Sequence, residues 1–142
     1  MDLSEGDYLH QALQNHSDHV ALIQLLLSRG ADPNETGSLS WTPLHVAAMN
    51  TANPAVIRTL MNYGANPNTQ TISYFEEPPL HDAVGRCNLG LVRAFLEGGA
   101  DPNGMNDSDP IYTPLEYAEV SCSGSTEAGI MDALRAAGAR ER

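Results

Sequence analysis

The side chains of this chain best suited to chemistry are five histidines, two cysteines and one run of carboxylates. His10, His16 and His19 lie close together in sequence, and His45 and His81 follow at wide intervals. Such a set raises the question of a metal, but zinc needs several ligands at about 2 Å from one ion. No pair of histidines or cysteines has metal-ligand spacing, so no metal site is expected. Glu76, Glu77, His81 and Asp82 are the only groups near enough in sequence to suggest paired acid–base work. A reaction would also need a nucleophile motif, a phosphate-binding loop or a cofactor signature, and the chain shows none. The expectation is a protein that is not an enzyme and carries no cofactor.

The elements that must position these residues emerge from internal repetition. Four segments begin alike: Asp7-Tyr8-Leu9-His10-Gln11-Ala12, Thr42-Pro43-Leu44-His45-Val46-Ala47, Pro78-Pro79-Leu80-His81-Asp82-Ala83 and Thr113-Pro114-Leu115-Glu116-Tyr117-Ala118. Leu9, Leu44, Leu80 and Leu115 are 35, 36 and 35 residues apart. Three units close on Gly30-Ala31-Asp32-Pro33-Asn34, Gly64-Ala65-Asn66-Pro67-Asn68 and Gly99-Ala100-Asp101-Pro102-Asn103, and a fourth on Gly138-Ala139. Each unit reads as helix, tight loop, helix, turn. Thr42 and Thr113 can cap a helix whose first position suits Pro43 or Pro114. Pro78 has no hydroxyl, so the third unit is expected to have the weakest helix start. Glycine at the end of each second helix can take the left-handed conformation that stops it.

The second helices carry matched apolar sets: Leu22, Ile23, Leu26; Val56, Ile57, Leu60; Leu91, Val92, Phe95; and Ile130, Met131, Leu134. This i, i+1, i+4 spacing marks one helical face. Gln24, Arg58, Arg93 and Asp132 between them should face water. One column of the first helices is always alanine (Ala12, Ala47, Ala83, Ala118), which lets neighbouring pairs approach closely. In the last unit Glu119 and Arg135 replace apolar residues on the outward face, as an open solenoid end requires.

These motifs resemble the ankyrin repeat family, whose Thr-Pro-Leu-His-x-Ala signature recurs at a similar period. The resemblance implies an all-α solenoid of four stacked helix-turn-helix repeats with hairpin-like finger loops. The repeats fall at about 7–34, 42–68, 78–103 and 113–139, in a single domain over 1–142. It further implies that the recurrent histidine is a structural hydrogen-bonding group, and that the family binds other proteins through its finger tips and first-helix face. Carried onto this sequence, the fingers are Glu35 to Trp41, Thr69 to Glu77 and Gly104 to Tyr112. The candidate contact residues are Trp41, Met49, Asn50, Tyr74, Phe75, Glu76, Glu77, Arg86, Asp107, Asp109, Tyr112 and Glu116. Trp and Tyr on exposed turns suit binding anchors; the alternative is that they fold back over alanine-rich helices.

Charge bears on the partner. Eighteen acidic residues against seven basic ones give a formal net charge of -11. That excludes the basic stripe of a nucleic-acid binder and disfavours anionic membranes. It favours a partner protein with a basic surface. Two functions fit: an adaptor, or an inhibitor or immunity-type protein that blocks a basic enzyme or toxin. The acidic N-terminus lacks a signal-peptide pattern and no apolar run is long enough to span a bilayer, so a cytoplasmic monomer is expected. Cys87 and Cys122 occupy the same register in adjacent units. One repeat step of about 10 Å exceeds the roughly 7 Å limit for a disulfide, so two free thiols are expected.

Overall fold

The computed structural model describes residues 7–37, 40–69, 77–104 and 111–141. Eight helices occur among them, and no strand: α1 (Tyr8–Asn15), α2 (Val20–Ser28), α3 (Pro43–Asn50), α4 (Pro54–Asn62), α5 (Pro79–Gly85), α6 (Leu89–Glu97), α7 (Pro114–Ser121) and α8 (Gly124–Ala136). They pair as α1/α2, α3/α4, α5/α6 and α7/α8. First helices stack on first helices and second on second, so the core is a continuous seam between the two layers.

Local chemistry sets the helix ends. Gly30, Gly64, Gly99 and Gly138 all lie near φ +100°, between +93° and +105°. The amide after each glycine donates back into the last helical turn, as Ala31 to Leu26 O at 3.1 Å and Ala139 to Leu134 O at 2.9 Å. This closure satisfies carbonyls that the helix end would leave bare. At the other end Asn53 and Asn88 cap α4 and α6 by accepting from Ala55 N and Leu91 N.

The seam is dry. Ile23, Val56, Ile57, Leu60, Leu91, Val92, Phe95, Ile130 and Leu134 are fully buried, as are Ala47, Ala83 and Ala118. Gln24, Arg58, Arg93 and Asp132 are exposed, and so are Glu119 and Arg135 at the outer face of the fourth unit. Leu22 and Leu26 are only half buried, because no described unit lies before α2 to cover them.

The fourth unit has four more residues between its two helices' apolar sets than the third, around Cys122 to Ser125, and they do not form a loop. They extend α8 to thirteen residues, against nine in α2, α4 and α6. A helix already nucleated gains one bond for each residue added, so the insertion is taken up as another turn. The cysteines are not free: Cys87 and Cys122 form a disulfide with Cα atoms 5.5 Å apart. Register spacing governs helix axes, not the ends of unequal helices. The seven-residue α5 ends before Cys87, which turns into the left-handed region at φ 53°. Cys122 is the extended C-cap of the eight-residue α7. The two backbones therefore converge where the axes do not.

Candidate functional site

The recurrent histidines resolve into a ladder between units. His10 Nε2 lies 2.8 Å from Trp41 O, His45 Nε2 2.8 Å from Glu77 O, and His81 Nε2 3.1 Å from Tyr112 O. Each partner is the residue just before the next unit's cap. A carbonyl only accepts, so Nε2 carries the proton in every rung and Nδ1 of a neutral ring is left as an acceptor. In the second unit that lone pair is used: Thr42 Oγ1 donates to His45 Nδ1 at 2.8 Å, and Thr42 N lies 3.3 Å away. His10 Nδ1 lies 2.9 Å from Asp7 Oδ1, an ion pair only when the ring is protonated; in the neutral ring that nitrogen has no donor among the described residues. In the third unit Pro78 offers no donor, and His81 Nδ1 is buried without a partner. The weak cap expected at Pro78 is thus visible both as a bare nitrogen and as the shortest of the eight helices. Burial pushes the His45 and His81 imidazoles below their usual range, against the opposing pull of their carbonyl partners and of Glu77. Where the fourth unit has Glu116 instead, the side chain turns back and accepts from Thr113 N at 2.8 Å, while Glu116 N donates to Thr113 Oγ1. Among the described residues no group of three His, Cys, Asp or Glu could hold a metal ion.

A second ladder runs through the closing turns. Asn34 donates to Gly64 O and accepts from Asn66 N; Asn68 donates to Gly99 O and accepts from Asp101 N; Asn103 donates to Gly138 O and accepts from Arg140 N. The distances lie between 2.7 and 3.1 Å. A turn residue chosen for its local propensity is therefore also the clamp onto the following unit.

The first-helix face brings two columns together. Val46, Asp82 and Tyr117 share one register position, and Met49, Gly85 and Val120 the next turn. Tyr117 leans over Gly85; a Cβ there would sit 3.0 Å from its Cε1 atom, so the glycine makes room for the ring. Tyr117 also stacks on Tyr112, ring centroids 6.0 Å apart, and lies beside His81. The Asp82 carboxyl, set among these groups, makes no hydrogen bond among the described residues. It is pushed up to about 7, chiefly by burial and then by the charge of Glu77, against a lowering by Arg86. The Tyr117 phenol is also raised, by burial first and then by Glu77 and Asp82. Val120 is 60% exposed, an apolar side chain that the core does not need.

Of the residues chosen from sequence, Met49 is half buried and Asn50 exposed on this face, and Glu77 and Tyr112 lie at its finger side. Trp41 packs partly against the core. Arg86 reaches back to the second unit, where Nη1 donates to Ala48 O at 2.8 Å and Thr51 O at 2.6 Å. Glu116 serves the α7 cap. Tyr74, Phe75, Glu76, Asp107 and Asp109 lie outside the described residues. Sequence reasoning missed Tyr117, although its register with Val46 and Asp82 could have revealed it. It also missed Asp18, whose Oδ1 accepts from Thr51 Oγ1, Ala52 N and Asn53 N at 2.5 to 3.2 Å; no sequence signal marks that residue. Those bonds hold the Asp18 carboxyl below its usual range, the Thr51 hydroxyl foremost.

Stacked helix pairs joined by side-chain ladders define a helical repeat solenoid, a class that works through its surface. The chain belongs to the ankyrin-repeat family: residues 9–106 match the description "Ankyrin repeats (3 copies)". The α7/α8 unit lies beyond that match and completes the fourth repeat structurally. Ankyrin repeats are generally protein–protein interaction modules without catalysis of their own. The chain is 36% identical over 107 residues to the E3 ubiquitin-protein ligase KEG of Arabidopsis thaliana, covering 72% of this chain and 6% of that one. It is 30% identical over 107 residues to the ankyrin repeat protein nuc-2 of Neurospora crassa, covering 75% and 10%. With the mitochondrial disaggregase of Bos taurus it shares 29% over 136 residues, covering 72% and 20%. In each case this chain spans a fifth or less of the relative's length. No helix among the described residues is long and apolar enough to cross a membrane.

Proposed function

We propose that the chain is a single interaction domain over residues 1–142, monomeric, that holds a partner protein with a basic surface against its first-helix face and fingers. The observation that carries this reading is the composition of that face. Exposed Val120 and half-buried Met49 and Tyr117 supply apolar area on the face that carries Asp82, whose carboxylate has no hydrogen bond among the described residues. A basic group from a partner would stabilise ionised Asp82 and recover the cost of its desolvation. The net charge of -11 strengthens attraction to such a partner at long range. Adaptor and inhibitor roles use the same face. We propose with it a cytoplasmic setting, in which the Cys87–Cys122 bond would be exposed to reduction.

The test is affinity capture with the intact chain and three variants. Val120→Glu and Asp82→Asn on the first-helix face should lose the captured partner although neither melts below the parent. Arg93→Glu, on the exposed side of α6, should retain it. Retention by both face variants together with loss by Arg93→Glu would move the contact surface to the second helices and end this reading.

A further inference from the structure

The third junction of the stack is the one joined covalently, and its surroundings show what the bond controls. The buried apolar side chains of the fourth unit's helices are Pro114, Leu115 and Ala118 from α7 and Ile130 and Leu134 from α8, and these helices pack on α5, on α6 and on each other. The unit's other face carries exposed Glu119 and Arg135 and is covered by no further described unit. The histidine rung at this junction is the longest of the three, 3.1 Å, and His81 has a bare Nδ1 behind it. A further polar link is Asn103 to Gly138 and Arg140, at the far edge. Against these contacts stands the disulfide, which ties the turn after α5 to the end of α7 across 35 positions of sequence. Cross-linking over such a span removes much of the freedom that the unit would gain on detaching. Both cysteines are half buried at the edge of the stack rather than sealed in the seam. Cys87 keeps a left-handed backbone that side-chain-bearing residues adopt only when their surroundings enforce it.

We propose that Cys87–Cys122 is a redox-reversible staple that locks the fourth repeat onto the third, opened by a soluble dithiol. One thiolate of the dithiol attacks a cysteine sulfur, breaking the Cys–Cys bond and forming a mixed disulfide. The second thiolate then displaces the remaining cysteine. The dithiol leaves as its cyclic disulfide, having given two electrons, and both cysteines end as protonated thiols. With the staple open, α7 and α8 are held by the noncovalent junction alone and open locally without unfolding the first two repeats. Tyr117 moves with α7, so the face formed with Asp82 and Gly85 comes apart in the opened state. The staple does not depend on the partner-binding reading; its failure would leave that reading standing.

Hydrogen exchange followed by mass spectrometry on the full chain tests this, with dithiothreitol as the dithiol. Intact mass would confirm that two hydrogens are gained on reduction. Reduction should speed exchange of the α7 and α8 amides about 100-fold or more, leave α3 and α4 unchanged, and reverse on reoxidation. The Cys87→Ser/Cys122→Ser variant should exchange quickly in α7 and α8 with or without dithiothreitol. Three results would overturn the proposal: a pair that the dithiol cannot reduce in the folded chain, reduction with no change in α7 and α8, or an equal rise in all eight helices.

Discussion

The contact of His45 with Glu77 and the contact of Asp18 with Thr51 both tie one repeat to the next, yet only the first is repeated along the stack. At the two edges where the helix-one caps and the closing turns lie, each junction uses the same side chain: His10, His45, His81 in one ladder and Asn34, Asn68, Asn103 in the other. At the edge formed by the turns within each helix pair, no two junctions match. Asp18 caps amides of the second repeat, Arg86 reaches back to carbonyls of the second, and Cys87 and Cys122 are bonded. The difference follows from chain length. The caps and closing turns keep one register in every repeat, so one residue type fits all of them. The segments joining the paired helices run four, three, three and two residues, and α8 is a turn longer than its counterparts, so each junction must use whatever group falls within reach.

Removing a rung of the repeating ladder should be the costliest break in this comparison. His45→Ala removes the bonds to Glu77 O and to Thr42 at a buried junction, and should lower stability by about 2–3 kcal/mol in urea titration. Asn34→Ala and Asn68→Ala should each cost about 1 kcal/mol, and by similar amounts, since both lose the same exposed pair of bonds. Asp18→Ala and Arg86→Ala, measured alongside, should differ clearly from each other, because one empties a cap and the other a charge-assisted bond to two carbonyls. Equal losses at the irregular edge and unequal losses along the ladder would invert the comparison.

Acid probes the ladder without mutation. His45 and His81 have lowered values in the folded chain, so the unfolded chain takes up protons first as pH falls below about 6.5. Their contribution is present above that pH and is lost as pH falls through the folded values. Asp82 has the opposite sign. Raised to about 7, it contributes most below pH 3.8, and that contribution disappears as pH rises through about 7. Asp82→Asn should therefore raise the melting temperature at pH 8 by about 2–4 °C and leave it nearly unchanged at pH 4. A smaller effect is expected at the defective cap. Pro78→Thr supplies the hydroxyl that Thr42 gives His45, and should add about 0.5–1 kcal/mol by chemical denaturation, part of the cap gain being offset by the lost rigidity of proline.

The repeat register made the eight helices, the alanine column and the charged outer face of the fourth repeat readable from sequence, because each depends on residues at fixed spacing. The missing donor at Pro78 was readable for the same reason. The irregular edge was not. Cys87 and Cys122 share a register position, yet their approach depends on the one-residue difference between α5 and α7 and on the left-handed turn at Cys87. Arg86 looked like a surface contact residue; the carbonyls at the end of α3 draw it back into the structure. Tyr117 went unnoticed because tyrosine at that position is not part of the repeating signature, and its role beside Asp82 depends on Gly85 leaving room for the ring.

The central claim is that each histidine crosses to the next repeat through a protonated Nε2. Long-range proton–nitrogen correlation spectra of uniformly labelled chain at pH 7 report that directly. His45 and His81 should both appear as neutral rings with the proton on Nε2 and slow exchange of that proton with water. Protonation at Nδ1 in either ring, or signals averaged between the two tautomers, would mean that the ladder does not join the repeats.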